Sequence, residues 1–286
     1  MKKEQENQLK LFAAKVRRWV VEGVYCAQSG HPGGSLSCTD IITYLYNAEM
    51  RIDPKDPKNP DRDRFVLSKG HCAPALYSVL GLKGYFDINE MKNLRKLGSF
   101  LQGHPCLTET PGVDMSTGSL GQGISSAVGM ALAAKVDGRD YNVFTVLGDG
   151  EMQEGEVWEA LMSSAHYKLD NLCIFLDKNG LQIDGKVDDV MSLGDIEAKA
   201  KAFGCNVMVI DGHDFGEIEK AVEAFKAHKG EGKPFFTVCL THKGRGVSFM
   251  TDNAGFHGKA PNDEEYKIAV AELDDAIAKA EQEVIS

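Results

Sequence analysis

Two kinds of apolar pattern alternate through the second half of the chain. Short runs that are almost wholly apolar lie at 141–147, 171–177, 205–211 and 234–241, separated by segments whose apolar residues recur at helical spacing. A continuous short apolar run is typical of a strand buried on both faces, and the spacing between the runs is typical of helices. This alternation predicts an α/β fold with a parallel sheet covered by helices on both faces.

The remaining pattern predicts mainly helices, with one further strand at 65–71 that runs into a glycine turn. The stretch "SGHPGGSLS" (29–37) is expected to break the first helix, and the Gly- and Pro-rich residues 98–120 to form an ordered functional loop. We expect one domain over 1–286, with 262–286 as an acidic, helical C-terminal tail. Helices are predicted over 9–28, 38–50, 72–84, most of 87–97, 121–138, 154–168, 195–203, 214–228 and 262–284.

Composition narrows the possible classes of protein. The 286 residues are 43% hydrophobic and 26% charged, with a net charge of −10, which is ordinary for a soluble globular protein and argues against a nucleic-acid partner. No apolar run approaches the length of a membrane span, and the polar start "MKKEQENQLK" lacks a signal sequence. The seven cysteines are scattered without a C-x-x-C pair, so we expect reduced thiols and a cytoplasmic location.

An acidic glycine turn follows the predicted strand at 141–147. Such a turn before a helix normally favours anions, yet Gly148-Asp149-Gly150 carries a carboxylate. Asn179 follows Gly150 by 29 positions, about one β-α-β unit, so Asp149 and Asn179 are expected at the same edge of the sheet. Carboxylate and amide oxygens suit Mg²⁺ or Ca²⁺. The cation would then bridge the acid to a phosphate.

These residues stand in a longer pattern. The segment "GDGEMQEG…DKNGLQIDG" looks like the thiamine diphosphate motif, and its flanks resemble the transketolase family. Six further blocks follow the transketolase order and cover almost the entire chain. They are "SGHPG" (29–33), "LSKGHCAPALY" (67–77), "GHP" (103–105), "STGSLGQGISSAVGMALAAK" (116–135), "DGHD" (211–214) and "THKGRGVSFM…FHG" (241–258).

The resemblance implies a set of residues that hold thiamine diphosphate and its metal. Asp149, Asn179 and the backbone carbonyl of Leu181 would hold Mg²⁺, for which Ca²⁺ or Mn²⁺ could substitute. The diphosphate would meet the Gly150 backbone, Asn179, His71 and His257, and the aminopyrimidine would meet the backbone of Gly118, Ser119 and Leu120. Ser119 stands where the family often has proline, which should disturb little if backbone atoms make the contacts.

The resemblance also implies residues that act on the substrate. His31, His104 and His257 would reach the sugar hydroxyls and the oxyanion, and Glu154 would link two active sites across a dimer interface. Histidine suits this chemistry because it stabilises oxygen charge and moves protons near neutral pH. The neighbouring Glu151 and Glu156 are expected to be solvated acids in the first turn of a helix.

A full-length transketolase adds a second α/β domain, with the glutamate that contacts the pyrimidine, and a C-terminal domain. The chain therefore resembles the N-terminal subunit of a split transketolase, active only with a separate C-terminal subunit in an α₂β₂ assembly. Residues 98–136 would pack against that partner and a second copy. The implied reaction transfers a two-carbon ketol group from a ketose phosphate to an aldose phosphate.

Three other functions remain open from the sequence. The chain could be a subunit of another thiamine diphosphate enzyme, similar to a deoxyxylulose-phosphate synthase or a 2-oxoacid dehydrogenase. It could also be a non-catalytic module that binds thiamine diphosphate. A nucleotide-binding Rossmann protein is disfavoured, because no G-x-G-x-x-G opens a first β-α-β unit.

Overall fold

The computed structural model describes residues 1–285. Five parallel strands form the central sheet, and two short antiparallel strands form a hairpin beside it. The sheet strands are β1 (Arg64–Leu67), β2 (Val143–Gly148), β3 (Leu172–Lys178), β6 (Asn206–Asp211) and β7 (Phe235–Leu240), and the hairpin strands are β4 (Leu181–Gln182) and β5 (Gly185–Lys186). Their order across the sheet is β1-β2-β3-β7-β6.

Helices fill most of the remaining chain. The α-helices are α1 (Lys3–Ala27), α2 (Pro32–Ser37), α3 (Thr39–Tyr44), α4 (Ala73–Lys83), α5 (Gln122–Val136), α6 (Gly155–His166), α7 (Val187–Met191), α8 (Ile196–Ala202), α9 (Phe215–Ala227) and α10 (Asp263–Ile285). A π-helical turn, Leu45–Glu49, extends α3, and short 3₁₀ turns occupy Gly70–Cys72, Ile88–Asn93, Gly150–Gln153 and Ala254–Phe256.

The two faces of the sheet are packed into separate apolar cores. Along β2, Phe144 and Val146 join the core that contains α1, α3, α4 and α9 residues, while Val143 and Leu147 join the core of α5, α6 and α8. Successive strand residues point to opposite faces, so a strand that is apolar at every position must be covered on both. The predicted α/β fold is confirmed.

Several local predictions need correction. Residues 29–37 follow the predicted break of the first helix, since α1 ends at Ala27, but they also contain the unpredicted α2. This helix starts at Pro32, where the fixed φ of proline and its missing N–H suit the first position of a helix. Of residues 87–97, only Ile88–Asn93 is helical, as a 3₁₀ turn. Neither α7 nor the β4–β5 hairpin was predicted, because both are too short to show a periodic pattern. The tail helix is confirmed as α10 over Asp263–Ile285, while residue 286 of the predicted tail lies outside the described residues. Tyr266 of α10 stacks on Tyr25 of α1, with ring centroids 3.8 Å apart.

The strand order positions the functional end of the sheet. The chain passes from β3 to β6 and then returns to β7, so the order reverses between β3 and β7. A parallel sheet opens a ligand crevice beyond its carboxyl ends at such a point. The segments that follow β1, β2, β3 and β7 therefore converge there. Within residues 1–285, no helix is both long and apolar enough to cross a membrane.

Candidate functional site

A cleft of about 390 Å³ opens at the carboxyl ends of β1, β2, β3 and β7. It brings together segments that are far apart in the sequence. Ten of the predicted site residues line it: His31, His71, Gly118, Leu120, Asp149, Gly150, Glu154, Asn179, Leu181 and His257. The other two, His104 and Ser119, are exposed beside it and are not among the residues that line it.

Four histidine rings lie near one another, three of them in the cleft and that of His104 beside it. The rings of His31, His71 and His257 form a triangle with centroid distances of 5.2 Å, 5.4 Å and 5.2 Å, and the His104 ring lies 6.5 Å from that of His31. His31, His71 and His257 each lie in or next to a short helical turn that contains glycine. The predicted grouping of these histidines is therefore observed.

Burial holds two of these histidines in the neutral form. Burial first, and then the nearby His71, lower the pKa of His31 to about 4. Burial first, and then the Lys243 ammonium, lower the pKa of His257 to about 3. A neutral imidazole offers one N–H donor and one acceptor nitrogen. His31 and His257 can therefore both donate hydrogen bonds to substrate oxygens and accept them from substrate hydroxyls.

Arg95 connects the segments that carry His31 and His104. This residue was not identified from the sequence. Its guanidinium donates to Ser29 Oγ at 3.1 Å and to the Gly103 carbonyl at 3.0 Å, so it ties the turn before His31 to the loop before His104. Burial first, and then the Arg95 charge, lower the pKa of His104. No pattern in the sequence marks this arginine, because its partners lie on separate loops.

The backbone approaches closely at Gly118. This residue has φ +147°, a conformation that favours glycine, and a Cβ there would lie 2.9 Å from the His104 ring. Thr117 Oγ1 donates to the Leu67 carbonyl at 2.7 Å, which fixes the loop against the end of β1. The Gly118 backbone is thereby held at the cleft, as a backbone contact to a ligand would require.

Three candidate metal ligands line the same cleft. Asp149 is only 3% exposed, and its two carboxylate oxygens accept from the N–H groups of Gly150 at 2.9 Å and Gly180 at 2.5 Å. Asn179 Oδ1 accepts from the N–H of Leu181 at 3.1 Å. Burial first, and then the nearby Asp177 charge, raise the pKa of Asp149 to about 6.

These groups fit a hard divalent cation. One carboxylate, one amide oxygen and one backbone carbonyl form an oxygen-only set, which leaves positions for water and phosphate. A cation would also offset the cost of ionising the buried Asp149. The Leu181 carbonyl accepts a 2.9 Å hydrogen bond from Lys243 Nζ, and its second lone pair remains open to a metal. No cluster of three or more His, Cys, Asp or Glu side chains suited to a metal occurs in residues 1–285, so neutral ligands would be essential.

A buried ion pair lies next to this set. Lys69 and Asp177 are 1% and 0% exposed and form a short salt bridge. Asp177 also accepts from Ser37 Oγ at 2.6 Å, from Thr241 Oγ1, and from Asn179 Nδ2 at 3.1 Å. Burial raises the pKa of Asp177, but Lys69 and the two hydroxyls outweigh it and hold the pKa below its usual value.

The Asp177 contact orients Asn179. Because the amide N–H₂ donates to Asp177, the amide oxygen is directed away from it and remains the acceptor. Sequence reasoning missed Lys69 and Lys243, although a signal was present. Both residues come shortly after strand ends, as Asp149 does, so the same rule applied to β1 and β7 would have identified them.

The acids after the glycine turn differ sharply in environment. Glu151 was expected to be solvated, which is wrong: it is 2% exposed and accepts from Ser68 Oγ at 2.5 Å, Gly121 N at 3.0 Å and Gly148 N at 3.1 Å. Glu154 is exposed, and its carboxylate forms no hydrogen bond or ion pair within residues 1–285. Glu156 is half-buried and accepts from Gln122 Nε2.

We predict that Asp149 titrates near pH 6 in the chain without added divalent cations, as measured by carboxyl ¹³C NMR. Its pKa is higher in the folded than in the unfolded state, so its contribution to stability is full below about pH 4 and is lost as pH rises through about 6. Asp177 is the internal control, since its lowered pKa should keep it ionised at pH values below the usual pKa of an aspartate. A midpoint near 4 for Asp149 would contradict the prediction.

The sequence matches a known family over most of its length. Residues 9–276 match the model of the transketolase, thiamine diphosphate binding domain. The chain is 43% identical over 280 residues to an apulose-4-phosphate transketolase subunit of Phocaeicola vulgatus, covering 98% of both chains. It is 44% identical over 271 residues to the 6-deoxy-6-sulfo-D-fructose transketolase subunit SqwG of Clostridium sp. (strain MSTE9), covering 95% of this chain and 98% of that one.

Full-length transketolases are matched over less than half of their length. Human transketolase is 40% identical over 252 residues, which cover 88% of this chain and 40% of the human one. The crystal structure of a transketolase mutant from Pichia stipitis superposes with a TM-score of 0.86 at 31% identity, covering 99% of this chain and 45% of that one. The chain therefore belongs to the transketolase family of transferases, as an N-terminal subunit that carries the thiamine diphosphate-binding domain.

Proposed function

We propose that the chain, together with a separate C-terminal subunit, transfers a two-carbon ketol group from a ketose phosphate to an aldose phosphate. The observation that carries this proposal is the shared cleft, which is lined both by neutral histidines and by an oxygen set suited to a divalent cation. The names of the relatives favour ketol transfer over the reactions of other thiamine diphosphate enzymes.

The residues that line the cleft support a proposal for how the cofactor binds. We propose that Asp149, Asn179 and the Leu181 carbonyl hold Mg²⁺, and that Ca²⁺ or Mn²⁺ can replace it. The diphosphate would meet the metal, the Gly150 and Asn179 groups, and the rings of His71 and His257. The backbone of Gly118, Ser119 and Leu120 would contact the aminopyrimidine. When bound, thiamine diphosphate supplies the electron sink for the carbanion.

The histidines would act on the sugar. His31, His104 and His257 are proposed to donate hydrogen bonds to the substrate oxygens and to stabilise the developing oxyanion. Because the pKa values of His31 and His257 lie near 4 and 3, these side chains act as neutral donors whose strength changes little near neutral pH. His104 is exposed beside the cleft with its ring against Gly118, where a Cβ would lie 2.9 Å away, and from there it would reach a sugar oxygen.

The lengths of the relatives support a separate partner. The chain covers 98% of two relatives named as subunits but only 40% of human transketolase. We therefore propose that the chain is one cofactor-binding domain, and that a C-terminal subunit supplies the pyrimidine-side domain in an α₂β₂ assembly. The exposed Glu154 and the exposed Gly129, Ala133 and Val136 on α5 would face a second copy or the partner.

The names of the relatives also suggest the substrate class. One is named for a phosphorylated sugar and the other for a sulfonated one. We propose that this chain likewise takes part in carbohydrate metabolism, such as a pentose phosphate pathway, and acts on a ketose with an anionic group.

A cytoplasmic location is proposed as well, supported by seven free cysteines, five of which are buried.

The first prediction from this function concerns partner dependence. The purified chain alone should show no measurable ketol transfer, because the carboxylate expected on the pyrimidine side lies outside it. Mixing it with the C-terminal subunit from the same genome, in the presence of thiamine diphosphate and Mg²⁺, should restore turnover of a ketose phosphate with an aldose phosphate acceptor. Robust transfer by the chain alone would contradict the proposal.

Asp149→Ala should weaken Mg²⁺-dependent binding of thiamine diphosphate by more than about a hundredfold, because loss of a metal ligand costs more than loss of its supporting contacts. Calorimetry on the assembled enzyme measures the affinity, and circular dichroism checks that the fold persists. Asp140→Ala is a matched control, since this aspartate is exposed and pairs with Lys229 away from the cleft. Unchanged affinity in Asp149→Ala would refute the metal assignment.

His104→Ala should lower kcat about a hundredfold while cofactor affinity changes little, because its proposed partner is a sugar oxygen. Steady-state kinetics with saturating cofactor measures the first effect and calorimetry the second. His166→Ala, at the end of α6, serves as the control histidine. An unchanged turnover number would argue against the assignment of His104.

A further inference from the structure

Glu151 is a deeply buried acid in the cleft wall, and the roles proposed above leave it unused. Its side chain sits 2% exposed near the start of the 3₁₀ turn Gly150–Gln153. Burying an ionised carboxylate is costly unless hydrogen bonds satisfy it. Here Oε1 accepts from Ser68 Oγ and from Gly121 N, and Oε2 accepts from Gly148 N. Both oxygens are therefore occupied by groups of the chain itself.

These contacts complete the start of helix α5. The first residues of a helix leave backbone N–H groups unsatisfied, and α5 begins after Gly121, which has no side chain to cap them. The Glu151 carboxylate accepts from Gly121 N at 3.0 Å, and Ser68, which donates to Glu151, accepts from Ile124 N at 3.0 Å. A negative charge at this end of the helix is also favoured by the helix dipole. Glu151 thus caps α5 from a distant part of the sequence.

Each donor belongs to a different segment of the cleft wall. Ser68 immediately precedes Lys69-Gly70-His71, Gly121 immediately follows Gly118–Leu120, and Gly148 immediately precedes Asp149. The segments are in close contact, since a Cβ on Gly123 would lie 2.6 Å from Ser68 Cα. The segments therefore have little room to shift while they keep their hydrogen bonds to Glu151. One carboxylate therefore connects the Gly118–Leu120 loop, which is proposed to contact the aminopyrimidine, to the turns that carry His71 and Asp149, which are proposed to hold the diphosphate and its metal.

We propose that Glu151 is a positioning residue that fixes the Gly118–Leu120 loop relative to Asp149 and His71, and so sets the affinity of the cleft for thiamine diphosphate. The carboxylate does not contact the substrate or the cofactor in this role. It acts through the backbone of the three segments that it joins. The inference rests on the proposed function, because the ligand whose affinity it sets is the proposed cofactor.

Glu151→Gln provides the direct test, because it keeps the volume and turns one acceptor oxygen into a donor. That donor would face a backbone N–H, so at least one of the three contacts is lost. We expect thiamine diphosphate to bind about tenfold more weakly in the assembled enzyme with Mg²⁺, while kcat at saturating cofactor stays within about threefold. We also expect faster amide hydrogen exchange at Gly121 and Gly148, measured in the chain without cofactor.

Glu159→Gln is the matched control, since it removes the same charge eight positions further along the chain, where the side chain is exposed. It should leave cofactor affinity and the exchange of Gly121 and Gly148 unchanged. If Glu151→Gln does not fold, Glu151→Asp keeps the charge with a shorter reach, and it should show the same loss of affinity and protection in smaller measure.

The possible failures are distinguishable. If the wild-type assembly shows no Mg²⁺-dependent binding of thiamine diphosphate, the proposed function fails, and with it this inference. If the wild type binds but the folded Glu151 variants bind equally well, only the inference is overturned. A variant that loses global stability yet keeps full cofactor affinity would likewise overturn it, because the role would then be purely structural.

Discussion

The cleft depends on one buried ion pair. It joins Lys69, which follows β1, to Asp177, the penultimate residue of β3. Asp177 also accepts hydrogen bonds from Ser37 in α2, from Asn179 and from Thr241 after β7. One side chain therefore holds together the ends of three strands and the last residue of α2. Breaking such a pair by removing one partner leaves an uncompensated buried charge and typically costs about 3–5 kcal/mol. The cost explains why its two partners must be present together.

The same pair sets the electrostatics of the cleft. Asp177 directs the Asn179 amide oxygen away from itself and contributes to the raised pKa of Asp149. Burial lowers the pKa values of His31 and His257 and keeps both side chains neutral, and the Lys243 charge lowers the pKa of His257 further. The cleft thus combines one poorly stabilised carboxylate with neutral donors and fixed cations. This arrangement favours a cation next to Asp149 and anionic ligand groups next to the histidines.

Much of the architecture could be predicted from local patterns. The strands at 141–147 and 171–177 were identified because their apolar runs are nearly continuous, and the two cores confirm why. Asp149 and Asn179 could be placed at one sheet edge because parallel strands end together. The short helix α7, the hairpin and α2 could not be predicted, since their few residues carry no periodicity and are held by tertiary contacts.

The sequence by itself determined the strand–helix alternation, the positions of the chemically active turns and the membership of a family. Only the tertiary structure decided which of these groups are buried, paired or neutral. Glu151, Glu154 and Glu156 illustrate the difference: they are near neighbours in one acidic segment, yet one is buried and fully bonded and another is exposed without a partner in residues 1–285. The physical reason is that solvation and hydrogen bonding depend on segments such as 68–71 and 118–121, which are distant in the chain and meet only in the folded protein.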